Sequence, residues 1–272
     1  MMNNINKSSK IRQSSIAIKP EKIAAYLFRI AVCLFIFNLA GIFFQRILGY
    51  TNFFTNGFEY LFDASEENNI PTYFSTMILF IASAILFHLY LVPDPQTLKN
   101  KRYWLFLSFI FLFLSVDENI SIHEQFNKIK SLLAPDTSGY LNYPWILPYG
   151  IFVLVVGGIF LKFLFSLPVK TRNLFIISGS IYVVATIGFE LPEGKIVAVY
   201  GATTYYYLFC ALEEFLEMSG IILFIYASLD YISFFKSSLK IIQSEKKVVV
   251  HQSENKTIAV KHEPFIVEQP NP

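Results

Sequence analysis

The sequence predicts an all-α, polytopic membrane bundle of about six transmembrane helices, on three observations. Hydrophobic residues make up 54% of the 272-residue chain and charged residues only 15%, against ~25% charged in a soluble domain. The mean hydropathy is +0.48, on the membrane side. Six apolar runs approach the ~20 residues that a spanning helix needs: roughly 23–48, 72–92, 103–118, 145–167, 173–191 and 203–229. The formal net charge is +2. That leaves no electrostatic footprint for nucleic acid, and the expected partner is the lipid bilayer.

The first run is too long for a signal-peptide core and lacks a small-residue cleavage pattern, so it reads as a retained helix. The third is short if it stops at Val116. It is expected to continue as a helix through Glu124 toward Lys130 and to end before Pro135. The fifth delivers Glu190 near its far end, with a break at Pro192 and Glu193 just beyond. The sixth carries Glu213, Glu214 and Glu217 inside an apolar run. Lys7, Lys10, Arg12, Lys19 and Lys22 precede the first run. Lys99, Lys101 and Arg102 lie in the 93–102 connection, Lys170 and Arg172 in the 168–172 connection, and Lys236, Lys240, Lys246 and Lys247 after the last run. With six crossings these four segments share one side. The positive-inside rule then puts both termini in the cytoplasm, with the cell membrane (plasma or inner) as the expected location. The domain reading is a mobile cytoplasmic tail over 1–20, a six-helix domain over 21–235 and a second mobile tail over 236–272. Cys33 and Cys210, each far from another cysteine or a histidine, read as buried, inert thiols. His88 reads as a lone hydrogen-bonded histidine.

This topology gathers carboxylates in the outer half of three spans. A charge at the bilayer centre costs ~2.5–3.5 kcal/mol, so Glu213, Glu214 and Glu217 should face the bundle interior. Glu217 is i+4 from Glu213 and i+3 from Glu214, adjacent to both. Asp117, Ser121 and Glu124 would share one face of a continued third helix, with His123 and Asn119 pointing the other way. Glu118 accompanies Asp117, and Glu190 could project toward either cluster. Spans three, five and six should therefore be mutual neighbours. Arg46 and then Lys195 are the candidate counter-charges. The loop acids Asp63, Glu66 and Glu67 read as solvated.

Several known chemistries are excluded by spacing. No His-x-x-x-His or His-x-x-His-His is present, and no Glu-x-x-His, so the histidine-rich and carboxylate di-iron patterns are unmatched. The pair Glu213–Glu214 invites comparison with intramembrane glutamic proteases, but Met218 stands where their arginine belongs. No Walker, dinucleotide or Gly-x-Ser-x-Gly loop occurs. The stretches LFDASEENNIPTYFS, FLFLSVDENISIHEQF and LEEFLEMSGIILF together resemble a group of uncharacterised bacterial multi-pass membrane proteins. The resemblance covers about 60–225 and implies a shared fold with no assigned chemistry.

The candidate metal-ligating residues are therefore Asp117, Glu118, His123, Glu124, Glu190, Glu213, Glu214 and Glu217. Oxygen ligands suit a divalent ion such as Mg, Mn, Ca or Fe, and one histidine widens the choice. Three functions fit. One is a metal-dependent membrane enzyme acting on a lipid or envelope precursor. Another is a cation- or proton-coupled transporter, with an ion as substrate. The third is a non-catalytic sensor or assembly factor.

Overall fold

The computed structural model describes residues 19–92, 99–125 and 139–260, with side chains up to Phe234 apart from that of Glu124. Among these residues all regular structure is helical: α1 Pro20–Ile42 with a π-helical extension Phe43–Ile47, α2 Phe53–Phe62, α3 Ile70–Leu91, α4 Lys101–Ile120, a single turn α5 Ile122–Gln125, α6 Ile146–Ser166, α7 Val169–Val183, a π-helical segment Val184–Phe189, α8 Glu190–Tyr200 and α9 Thr204–Val260. Five helical stretches are long and apolar enough to cross a membrane: Pro20–Ile47, Ile70–Leu91, Lys101–Ile120, Ile146–Ser166 and Val169–Tyr200. They coincide with the first five apolar runs. The chain is an integral membrane protein with multiple passes. The sixth run begins α9, which packs against α7, α1 and α3 at the centre of the bundle. Large apolar side chains such as Ile36, Phe109, Leu154 and Phe165 point outward, as a lipid-facing surface requires.

Lipid gives no hydrophobic drive between helices, so small residues and hydrogen bonds hold them together. Between α3 and α4, Ser83 Oγ donates to the Ser108 carbonyl at 2.8 Å and Ser108 Oγ returns a bond to the Ser83 carbonyl at 3.0 Å. Ser115 Oγ adds a bond to the Thr76 carbonyl at 2.9 Å. Between α7 and α9 the device is Gly220. A Cβ there would sit 3.0 Å from the Tyr182 nitrogen and 3.1 Å from the Ser178 carbonyl oxygen. Aromatic rings complete the packing of α4, α7 and α9 on one another. Phe111 stacks on Phe224 with centroids 4.5 Å apart, and Trp104 meets Phe175 at 6.2 Å and Tyr231 at 5.3 Å. The expected neighbourhood of the third, fifth and sixth spans is therefore present.

Four expectations about the elements need correction. The third span does not run on through Glu124. Ser121 takes the left-handed conformation at φ 54° and ends α4, and the chain restarts as the short turn α5. Asp117 causes the turn, because its side chain accepts the His123 backbone N–H at 2.8 Å and so replaces a lost helical bond. Residues 126–138, where the continuation toward Lys130 was expected, lie outside the described residues. The fifth span does not break at Pro192 but continues to Tyr200. A proline ring clashes with the carbonyl four residues back, and the widened π turn just before α8 gives it room. The connection between the first two apolar runs, read as the loop that carries Asp63, Glu66 and Glu67, contains α2, started by Asn52, whose side chain accepts from Phe54 N and Thr55 N. Finally, α9 extends through Val260 into the stretch read as a tail, since no Gly or Pro falls between Gly220 and Pro264 to stop it. The first tail, residues 1–18, lies outside the described residues.

Candidate functional site

The polar ends of α4, α7–α8 and α9 converge on a cavity of about 680 Å³. Its floor is apolar and its head is acidic. The head carries Asp117 and Glu118 from α4, Glu190 and Glu193 from α8, Glu213, Glu214 and Glu217 from α9, and Glu66 and Glu67 from the strap before α3.

Glu190, Glu193 and Glu213 form the tightest group. Each offers a carboxylate oxygen within 4.8 Å of the other two. Two bonds of ~2.0–2.6 Å through a cation span ~4–5 Å, so one divalent ion fits among them. Glu193 and Glu213 are 3% and 8% exposed. Trp145 Nε1 donates to Glu190 Oε1 at 3.2 Å and fixes that side chain. Cys210 Sγ donates to Glu193 Oε2 at 3.2 Å. The other oxygen of Glu193, Oε1, is buried with no hydrogen-bond partner, as is Glu214 Oε2. A buried carboxylate oxygen without a partner is costly. A cation among the three carboxylates, or a proton shared between Glu193 and Glu213, would satisfy it.

The second group is built on the end of α4. Asp117 Oδ1 takes the His123 backbone N–H and lies 3.4 Å from His123 Nδ1, while Oδ2 accepts the Tyr149 hydroxyl at 3.0 Å. His123 Nε2 lies 3.8 Å from Glu67 Oε1, and Ser121 Oγ donates to Glu67 Oε2. The imidazole is edge-on to Trp145 at 5.2 Å. Through that indole the His123 group reaches Glu190 and the triad. Glu217, 7% exposed, is close enough to both groups to interact with His123 and Asp117 on one side and Glu193 on the other.

Of the eight candidate ligands, the structure brings Glu190 and Glu213 together in the triad and Asp117 with His123 beside it. Glu118, Glu214 and Glu217 line the same cavity. The side chain of Glu124 lies outside the described residues. His123 is turned toward Asp117, not away from it, because Ser121 reverses the helical phase. Glu67 is no solvated loop acid but a partner of Ser121 and His123. Asp63 is likewise buried, with Oδ1 accepting from Ser65 N and Oγ. Arg46 pairs with Glu59 at 2.9 Å and Lys195 bonds Tyr140 at 3.0 Å. Neither therefore neutralises the intramembrane glutamates. Cys33 and His88 are exposed, and Cys210 is buried but hydrogen-bonded. Glu193 is the residue that sequence reasoning left out of the site. Its signal was the i, i+3 spacing from Glu190, legible only if the helix survives Pro192.

Burial alone would pull the His123 pKa down. Asp117, through its hydrogen bond and charge, and then Glu67 and Glu118 outweigh that and push it from an ordinary 6.5 to about 9. A raised folded-state value means that folding favours the charged ring. The stabilisation is complete below pH 6.5 and is lost as pH rises through about 9. The stability gap between wild type and His123→Gln, from chemical denaturation, should be widest near about pH 6 and close by about pH 10. A gap that ignores pH would mean a neutral ring.

Residues 25–232 match a family model described as a domain of unknown function (DUF8692). No curated protein and no solved structure matches the chain.

Proposed function

The chain belongs to the DUF8692 family, a domain of unknown function, and from its own residues we propose a membrane enzyme that holds a divalent metal ion and acts on a lipid or envelope precursor. Glu190, Glu193 and Glu213 would hold the ion. The observation that carries this reading is Glu193 Oε1, buried and unpartnered within a carboxylate triad that opens on a large cavity. Three hard oxygen donors favour Mg, Ca or Mn. When bound, the ion would activate a water molecule as nucleophile. Asp117 fixes His123 beside that position, and the imidazole can carry a proton to or from the reacting group. Glu118, Glu214 and Glu217 continue the polar wall and complete the site.

A cation or proton transporter would need a polar route to the opposite face. At that end the interior is filled by aromatic side chains, Trp104, Phe163 and Tyr231, at 0–2% exposure, with Phe175 against them, and the polar groups there pair with one another, Asn100 with Ser166 and Lys170 with Asp230. An end filled by aromatic rings supports chemistry at one face over passage through the bundle. A purely structural role does not account for a cavity of this size.

The reading is tested by elemental analysis of protein purified without chelator, together with its action on bilayer lipids before and after chelation. A stoichiometric divalent ion and a chelator-sensitive change in a lipid are expected. Metal-free protein that still alters lipid would overturn the metal role, and metal-loaded protein inert toward every lipid class would overturn the enzyme.

The proposal places the acidic head at the outer face, with α9 as the sixth crossing and both termini cytoplasmic. A reporter fused after Lys236 should then read cytoplasmic, and a cysteine at Asn68 should react with an impermeant reagent from outside. Labelling of both positions from one face would remove the sixth crossing.

A further inference from the structure

We propose that the ligand of this cavity is a single-chain amphiphile whose headgroup is a protonated amine. The inference rests on the lipid reading above and narrows it to one headgroup charge and one chain.

The headgroup charge follows from what lines the cavity. Among the described residues nine carboxylates and one histidine face it, with no lysine or arginine. A divalent ion in the triad and protons shared between neighbouring carboxyl groups cancel part of that excess, and an ammonium can take the place of those protons. A phosphate headgroup would bring like charge into a site of low dielectric, where mismatch costs several kcal/mol. An ammonium brings the complementary charge, and the carboxylates of Glu118 and Glu217 stand on the cavity wall to receive it. Trp145 and Tyr149, whose rings meet edge-on at 5.3 Å, flank the same end and offer π faces that favour a cation. The unpartnered Glu214 Oε2 gives the N–H donors of an amine a buried acceptor.

The chain follows from the rest of the cavity. Below the carboxylates it is walled by Ile110 and Phe111 of α4, Val156 of α6, and Phe175 and Ile176 of α7. Gly157 and Gly179 also line it, and a Cβ at either would meet nothing within 4 Å. These glycines are therefore not helix-packing contacts; they leave a trough open. From Tyr149 to Leu164, both on the wall, α6 rises ~22 Å. That exceeds the ~15 Å depth of one leaflet's hydrocarbon. A cavity of 680 Å³ holds about 20 groups the size of a water molecule. That is room inside for one long chain and a small head; the second chain of a bilayer phospholipid would have to lie outside the trough.

The test uses purified full-length protein in nanodiscs of neutral lipid, with brominated hexadecylamine and brominated hexadecyl phosphate as quenchers of Trp145 fluorescence. The amine is expected to quench saturably, with an apparent affinity at least about tenfold above the phosphate. Gly157→Leu fills the trough without touching the head, so it should weaken the amine by a similar factor while leaving the melting temperature unchanged. Glu118→Gln should narrow the amine-over-phosphate ratio. Equal or tighter binding of the phosphate overturns the headgroup assignment. Undiminished binding to a folded Gly157→Leu protein overturns the chain assignment. Metal content is measured on the same samples. Amine selectivity in metal-free protein would refute the metal reading and leave this inference standing. Metal-loaded protein without amine selectivity would do the reverse.

Discussion

Chelation is expected to lower the melting temperature of the wild-type protein by about 5–10 °C, and Glu193→Gln is expected to abolish most of that response. An ion held at a hundred times its dissociation constant adds ~2.7 kcal/mol of stability, and ~1 kcal/mol moves the midpoint of a chain of this size by ~2–4 °C. Glu193 is the decisive position because it is the most buried member of the triad, at 3% exposure. It also keeps one oxygen bonded to Cys210 and the other unpartnered. Glutamine can keep the Cys210 bond but presents a neutral amide to the ion. The competing arrangement is a proton shared between Glu193 and Glu213, and it behaves differently. Chelator would then leave the wild type unchanged, and glutamine, nearly isosteric with a protonated carboxyl, would be almost silent. A melting curve indifferent to chelator, in protein shown to hold no trapped metal, sinks the metal centre.

The second large effect is expected at Gly220. Gly220→Val should destabilise the bundle by about 3 kcal/mol or more, the upper end of the overpacking range. The atoms its Cβ would meet at 3.0 and 3.1 Å are the backbone of Tyr182 and Ser178, which cannot rotate aside as a side chain can. Relief requires α7 and α9 to separate, and that also parts Glu190 and Glu193 from Glu213. Metal content should therefore fall together with thermal stability. Gly220→Ala should show the same pair of losses in weaker form. A valine variant that melts like wild type would mean that the two helices do not cross at this glycine.

The apolar runs made the five crossings legible, because hydropathy reports lipid contact directly. The inward face of α9 was legible too, since three glutamates within five residues have no tolerable place against lipid. What the sequence could not disclose came from single backbone events. Asp117 looked like one more acid on a long helix, but its carboxylate captures the His123 amide, turns the chain at Ser121 and reverses the direction of the histidine. Pro192 looked like an end, but the π turn at Val184–Phe189 absorbs it and carries Glu193 into the site. Glu67 looked like a loop acid because nothing local reveals that the strap before α3 folds back over α4. Its partners, Ser121 and His123, lie more than fifty residues away. Arg46 was matched to the wrong carboxylate for the same reason. Its true partner, Glu59, is on α2, a helix announced only by the cap at Asn52.

The serine pair that links α3 and α4 bears on how the chain is assembled. Ser83 and Ser108 exchange bonds with each other's backbone, so this hairpin can pair its two helices as soon as both have left the ribosome. It can enter lipid as a pair, with the acidic end of α4 left for Tyr149 to meet. α9 cannot. As the proposed sixth crossing, released alone, it would carry three carboxyl groups into hydrocarbon, each at a cost of several kcal/mol. Among the described helices it is also the last to be synthesised, by which time Trp145, Tyr149 and the end of α4 are already in place to receive it. Chain order thus becomes a schedule. A circular permutant that translates α9 first would expose its acidic face to the insertion machinery with no acceptor present. It should be retained in the aqueous phase or degraded, although every contact of the finished bundle would be unchanged.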